Sequence, residues 1–208
     1  MAEDKKPEQT EQEKLEPKHW IYLIVFFGVI FWMFSGGDSE FVAKQYEANV
    51  TKLGEEKADF IRRIQNLSSE VGYIGLYRDT EQTKKMTVEI NISNYIDSTL
   101  LTDAERIIFK TQMEMQDEIE NMAKESVEYS IRGKAAGDND DFLWVVTVDY
   151  DISTIKNMKE SQLDIAGSLL NMSKNVKRTS NTNAWPFITE FCKDFGKWSK
   201  DFCYKALN

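Results

Sequence analysis

Histidine is nearly absent: His19 is the only one in 208 residues. A Ser-His-Asp or Cys-His mechanism would have to run through it, and it stands far along the chain from the serines and cysteines of the body. A zinc site lacks its imidazoles for the same reason. The two cysteines, Cys192 and Cys203, make neither a disulfide framework nor a four-thiolate metal site. The chain contains no G-x-x-x-x-G-K-[ST] and no G-x-G-x-x-G, the loops that cradle nucleotide phosphates. Basic residues are outnumbered, 26 to 35, for a formal charge of −9. An acidic chain lacks the cationic face that phosphates need, which argues against nucleic acid as a partner. The inventory therefore predicts no cofactor, no metal and no enzyme. The densest acidic cluster, Asp138-Asn139-Asp140-Asp141, lacks the following glycine and distal glutamate of an EF-hand loop and reads as a hairpin tip. A carboxylate-dependent hydrolase is a distant third reading and would require two acids in one cleft, ~5–10 Å apart.

What is present begins with Trp20 to Phe34, WIYLIVFFGVIFWMF, a run without charge. At ~1.5 Å per residue it covers ~22 Å, short of a ~30 Å hydrocarbon core. The small residues Ser35, Gly36 and Gly37 extend it at one end, and Lys18 and His19 snorkel at the other. Residues 19–37 are therefore read as a transmembrane helix. Lys5, Lys6, Lys14 and Lys18 precede it, whereas the next basic residue after it is Lys44. That bias predicts a cytoplasmic N-terminus and an extracytoplasmic body, periplasmic in a bacterium. A cleaved signal peptide is the rival, with Ser35-Gly36-Gly37 as the small-residue site, but the long acidic tail favours an uncleaved anchor. Residues 1–18 are too polar to pack and are expected to be disordered.

The body reads as α+β. Val50, Leu53, Phe60, Ile64, Leu67, Val71 and Ile74 step by three and four, with Lys57 in the one polar slot. This predicts a long helix over 38–71, either a stalk pairing with another helix or an amphipathic helix packing on its own domain. Gly54 is a weak point in it. Residues 72–176 are expected to form the sheet domain. Val71–Tyr77 and Met86–Ile92 read as strands, as do Val127–Ile131 and Phe142–Tyr150. Thr102-Asp103-Ala104-Glu105 reads as a capping box opening a helix whose stripe is Ala104, Ile108, Thr111, Met115, Ile119 and Met122. Ile155 to Val176 reads as one more amphipathic helix, and 177–183 as a linker. Two αββ halves side by side predict a four-stranded antiparallel, ferredoxin-like sheet. A membrane anchor, a stalk helix and αββ halves are similar in outline to the bitopic alignment subunits of type II secretion and type IV pilus machines. That resemblance lies in element order over the chain after the tail, and no motif transfers a residue role.

Residues 184–208 carry Phe187, Ile188, Phe191, Phe195, Trp198 and Phe202 on one helical face beside several lysines. The face is either part of the core, a membrane-interface surface or an anchor for a partner groove. Cys192 and Cys203 stand eleven residues apart. On a straight helix that is ~16 Å, too far for a disulfide, so a bond requires a break, for which Gly196 is available. A pinned helical hairpin and two free thiols both remain open. Four Asn-x-Ser/Thr triplets, at Asn49, Asn66, Asn91 and Asn171, would matter only in a glycosylating compartment.

The functional expectation is a single-pass membrane protein acting as a non-enzymatic scaffold or accessory subunit of an envelope assembly. Its partners are the lipid bilayer, other membrane or envelope proteins, or a second copy of itself. Leu53, Phe60, Ile64 and Leu67 are the candidate helix seam, and Phe191, Phe195, Trp198 and Phe202 the second contact. The alternative is a membrane-tethered extracytoplasmic domain that senses a ligand or stacks carbohydrate on exposed aromatics.

Overall fold

Strict alternation builds the centre of the molecule. In the computed structural model, which describes residues 43–76, 84–93, 97–134 and 141–208, Lys85–Ile92 alternates half-buried and buried side chains along its whole length. Val127, Tyr129 and Ile131 do the same on the next strand. Five strands result: β1 Val71–Gly75, β2 Lys85–Ile92, β3 Ser126–Gly133, β4 Leu143–Asp151 and β5 Asn175–Arg178. They lie in the order β1-β2-β3-β4-β5. β1–β2, β3–β4 and β4–β5 are antiparallel, whereas β2 and β3 run parallel from Lys85↔Ser126 to Ile92↔Gly133.

The sheet is thus mixed and five-stranded, in place of the four-stranded antiparallel, ferredoxin-like sheet expected. The cause is the crossover. Helix α3, Asp97–Met115, and the short α4, Ile119–Met122, carry the chain back along the sheet, so β3 enters beside β2 in the same direction. The fifth strand straddles the end of the region read as helix and the start of the 177–183 linker. Residues 152–178 hold only short pieces: α5 Ile152–Lys156, a 3-10 turn Glu160–Leu163, α6 Ser168–Asn171, and then β5. Gly167 divides them at φ 86°, a left-handed position that stops any helix running through.

The predicted long helix is also divided. Helix α1, 43–53, and α2, Glu55–Gln65, are separated by Gly54 at φ 89° and ψ 161°. This backbone region is open essentially to glycine alone. Val71 and Ile74, read as the end of that helix seam, are buried residues of β1. The stripe on α3 and α4 is as expected: Ala104, Ile108, Thr111, Met115, Ile119 and Met122 are all buried. Asp97 rather than Thr102 begins the helix, however, so the capping box is not one.

Helices α2, α3, α7 (Trp185–Phe195) and α8 (Lys200–Leu207) cover one face of the sheet. Residues Leu53–Asn208 form one unit, so 184–208 belongs to the sheet domain and is not an appendage. The reason is burial: Phe187, Ile188, Phe191 and Phe202 join Ile131, Val146, Val148 and Tyr150 in a single core. Residues 1–42, including the apolar run and the tail, lie outside the described residues, as does most of the acidic cluster. Among the described residues no helix is long and apolar enough to cross a membrane.

Candidate functional site

Three places carry side chains that the core does not fully account for. The first is the C-terminal hairpin. Pro186 sits in the first turn of α7, where its missing N–H costs nothing. The helix ends at Phe195, and the N–H groups of Trp198 and Ser199 fold back onto the Phe195 carbonyl at 2.9 and 3.2 Å. The chain then reverses into α8, and Cys192 and Cys203 are joined across the hairpin with Cα atoms 5.7 Å apart. Phe191 packs against Phe195 at 5.3 Å and edge-on to Phe202 at 5.7 Å. The turn is tied down from outside. Ser199 Oγ donates to the Gly167 carbonyl at 2.8 Å, and Asn171 Oδ1 accepts from the Asp201 and Phe202 N–H groups.

This geometry sorts the predicted contact residues. Phe191 and Phe202 are fully buried, Phe195 is half-buried against the core, and Trp198 is 44% exposed. In the helix seam, Phe60 and Ile64 are buried in their own domain, while Leu53 and Leu67 pack half-buried against it. Phe60, Ile64, Phe191 and Phe202 are therefore core residues and offer no surface to a partner. The amphipathic reading of α2 is the arrangement present. Of the eight, Trp198 alone is exposed.

The second place is the polar face of the sheet. Lys85, Glu128, Asp149 and Lys177 meet across four strands. Lys85 Nζ bonds to Asp149 and lies 3.7 Å from Glu128, and Lys177 lies 4.0 Å from the same Glu128. Asn175 Nδ2 donates to Asp149 Oδ2 at 3.1 Å. Burial works against the charge on Lys85, but the bond to Asp149 and the nearby Glu128 outweigh it and hold its pKa above the usual value. Arg132 and Glu89 form a second pair at 3.4 Å. At the bulged end of β4, Trp144 is 38% exposed, with Nε1 donating to Thr147 Oγ1 at 2.9 Å.

The third place centres on Glu105, read from the sequence only as the last residue of a capping box. Glu105, buried to 2% exposure, reaches from α3 to the segment before and within α6. Its Oε2 accepts from Gly167 N–H at 2.6 Å, and its Oε1 from Leu169 and Leu170 N–H at 2.6 and 3.0 Å. Burial pushes this carboxyl above its ordinary range, against the pull of those N–H groups and of Arg106. Tyr150 donates to the Leu169 carbonyl at 3.1 Å, so the same short segment is held from two sides. The available signal was position: Leu101, Ile108 and Gln112, at i−4, i+3 and i+7 from Glu105, are all buried. An acid flanked on its helix face by buried residues has an internal partner. Beside Glu105 opens a cavity of about 430 Å³, walled by Phe109, Leu163 and Ala166. Among the described residues no cluster of His, Cys, Asp and Glu could hold a metal ion.

No family model matches the chain, and neither a curated protein nor a solved structure does.

Proposed function

We propose that the chain is a single-pass membrane protein, N-terminus in the cytoplasm, whose extracytoplasmic domain works as a non-enzymatic scaffold or accessory subunit of a membrane or envelope complex. The observation that carries this reading is the Cys192–Cys203 bond, which uses both cysteines of the chain. Cytosolic thiols are kept reduced, whereas a domain outside the membrane keeps a disulfide. The apolar run at 20–34 supplies the anchor and the lysine bias its direction. The surfaces assigned to partners are the ion-paired sheet face with Trp144, and the hairpin tip with Trp198. Exposed tryptophans ringed by charge suit a contact with a dry centre and a polar rim.

The test is the mass of the particle extracted from native membranes in mild detergent. A mass well above one 24.2 kDa chain plus its micelle is expected, falling when Trp144→Asp and Trp198→Asp are combined. A single-chain mass before and after the change would overturn the assembly reading. The alternative of a ligand-sensing domain draws on one different observation, the cavity beside α3. Its apolar wall is Phe109, not tryptophan, which does not favour carbohydrate stacking.

A further inference from the structure

We propose that the cavity between α3 and residues 163–166 binds a small organic monoanion with an apolar body, an aryl- or alkylcarboxylate. Its volume, about 430 Å³, falls in the range of small-molecule sites, ~300–1,000 Å³. Phe109, Leu163 and Ala166 provide apolar walls, so the body of the ligand is apolar. The polar groups choose the sign of its charge. Arg106 and Lys110 line the same cavity one helical turn apart, and both are exposed. Lys110 has no ion pair among the described residues, and Arg106 lies 3.4 Å from Asp103 and also acts on the buried Glu105.

Glu105 is the one acid in the lining, and it does not offer itself to a cation. Both of its oxygens already accept from the N–H groups of Gly167, Leu169 and Leu170. Thr102 also lines the cavity, but its Oγ1 is closed off from it. A carboxylate would thus meet Arg106 and Lys110 while its hydrocarbon part covers Phe109 and Leu163. A cationic ligand would face two like charges at the mouth. A neutral one would forgo charge-assisted hydrogen bonds, roughly twice as strong as neutral ones.

The test uses the full chain in lipid nanodiscs and 3-(4-fluorophenyl)propionate, followed by fluorine NMR. Saturable line broadening is expected. The neutral amide analogue should bind about tenfold more weakly, the size of one lost charge-assisted contact. Lys110→Glu, or Lys110→Gln should the first fail to fold, should weaken the acid by a similar factor. Ala166→Leu, which fills the cavity, should abolish saturation. Uptake that never saturates, or is equal in every variant, would be partition into lipid and would overturn the proposal. So would tighter binding of the amine analogue. Binding is read on the purified chain, so its failure is separate from any failure of the membrane reading.

Discussion

Glu105 shows how one side chain holds a segment that has little else to hold it. Helix α6 is a single turn, too short to be stable by its own hydrogen bonds. Its leading N–H groups end on a carboxylate supplied by another helix. Glu105→Ala would strand three buried donors, at ~1–3 kcal/mol for each unsatisfied group. A loss of about 3 kcal/mol or more is expected in denaturant unfolding. The pH dependence has a definite sign. Burial raises the folded carboxyl above its ordinary value of 4.5, so in the window just above that value the folded state retains a proton that the unfolded chain has released. The native state then binds more protons, and stability falls as pH rises through the window. Glu105→Gln should flatten that slope. A wild-type stability that instead rises relative to Glu105→Gln over the same window would mean that the three N–H bonds outweigh burial.

At the scale of elements, the disulfide and the glycines decide what periodicity alone left open. The Cys192–Cys203 loop spans eleven residues, and closing it restricts the unfolded chain by about 2–3 kcal/mol. Cys192→Ser with Cys203→Ser should lower stability by that amount, measured from the urea midpoint and slope together. The hairpin should persist, because Ser199 and Asn171 anchor its turn independently of the sulfurs. Ile64 separates the two readings of α2. As a seam residue facing a partner it would tolerate Asp in the isolated domain. As the fully buried residue it is, Ile64→Asp should cost at least about 3 kcal/mol and unfold the domain. A melting temperature unchanged by that substitution would contradict the packing of α2.

Periodicity found α3, β2, β3 and β4 because each buries a clean stripe or alternation. It lost β5 because that strand is a four-residue edge in which only Val176, opposite Val148, is even partly buried. The residues read as helix before it carry apolar side chains at helical spacing by coincidence. Ile165, for instance, is 48% exposed. Gly54 was recognised as a weak position, but only its positive φ makes it a break.

At the scale of the whole molecule, the α+β class and the position of the helices on one face follow from the order of the elements. The pairing of the two halves does not. An αββ order is equally compatible with several neighbour arrangements, and composition does not say that β2 and β3 will run side by side and parallel. The candidate sites were legible in the same uneven way. The aromatic face of 184–208 was visible, but most of it closes the core. Glu105 and its cavity join residues more than sixty positions apart, a juxtaposition that only the fold creates.

The location of this body relative to the membrane is the claim on which the functional reading depends. The most direct measurement is labelling of Cys192 and Cys203 with a charged, membrane-impermeant maleimide in sealed right-side-out vesicles. The account predicts no labelling until an equally impermeant reductant is added, and then labelling without lysis, at Cys192 ahead of the buried Cys203. Thiols that react only after the vesicles are opened, and that need no reductant, would place the domain on the cytoplasmic side and contradict it.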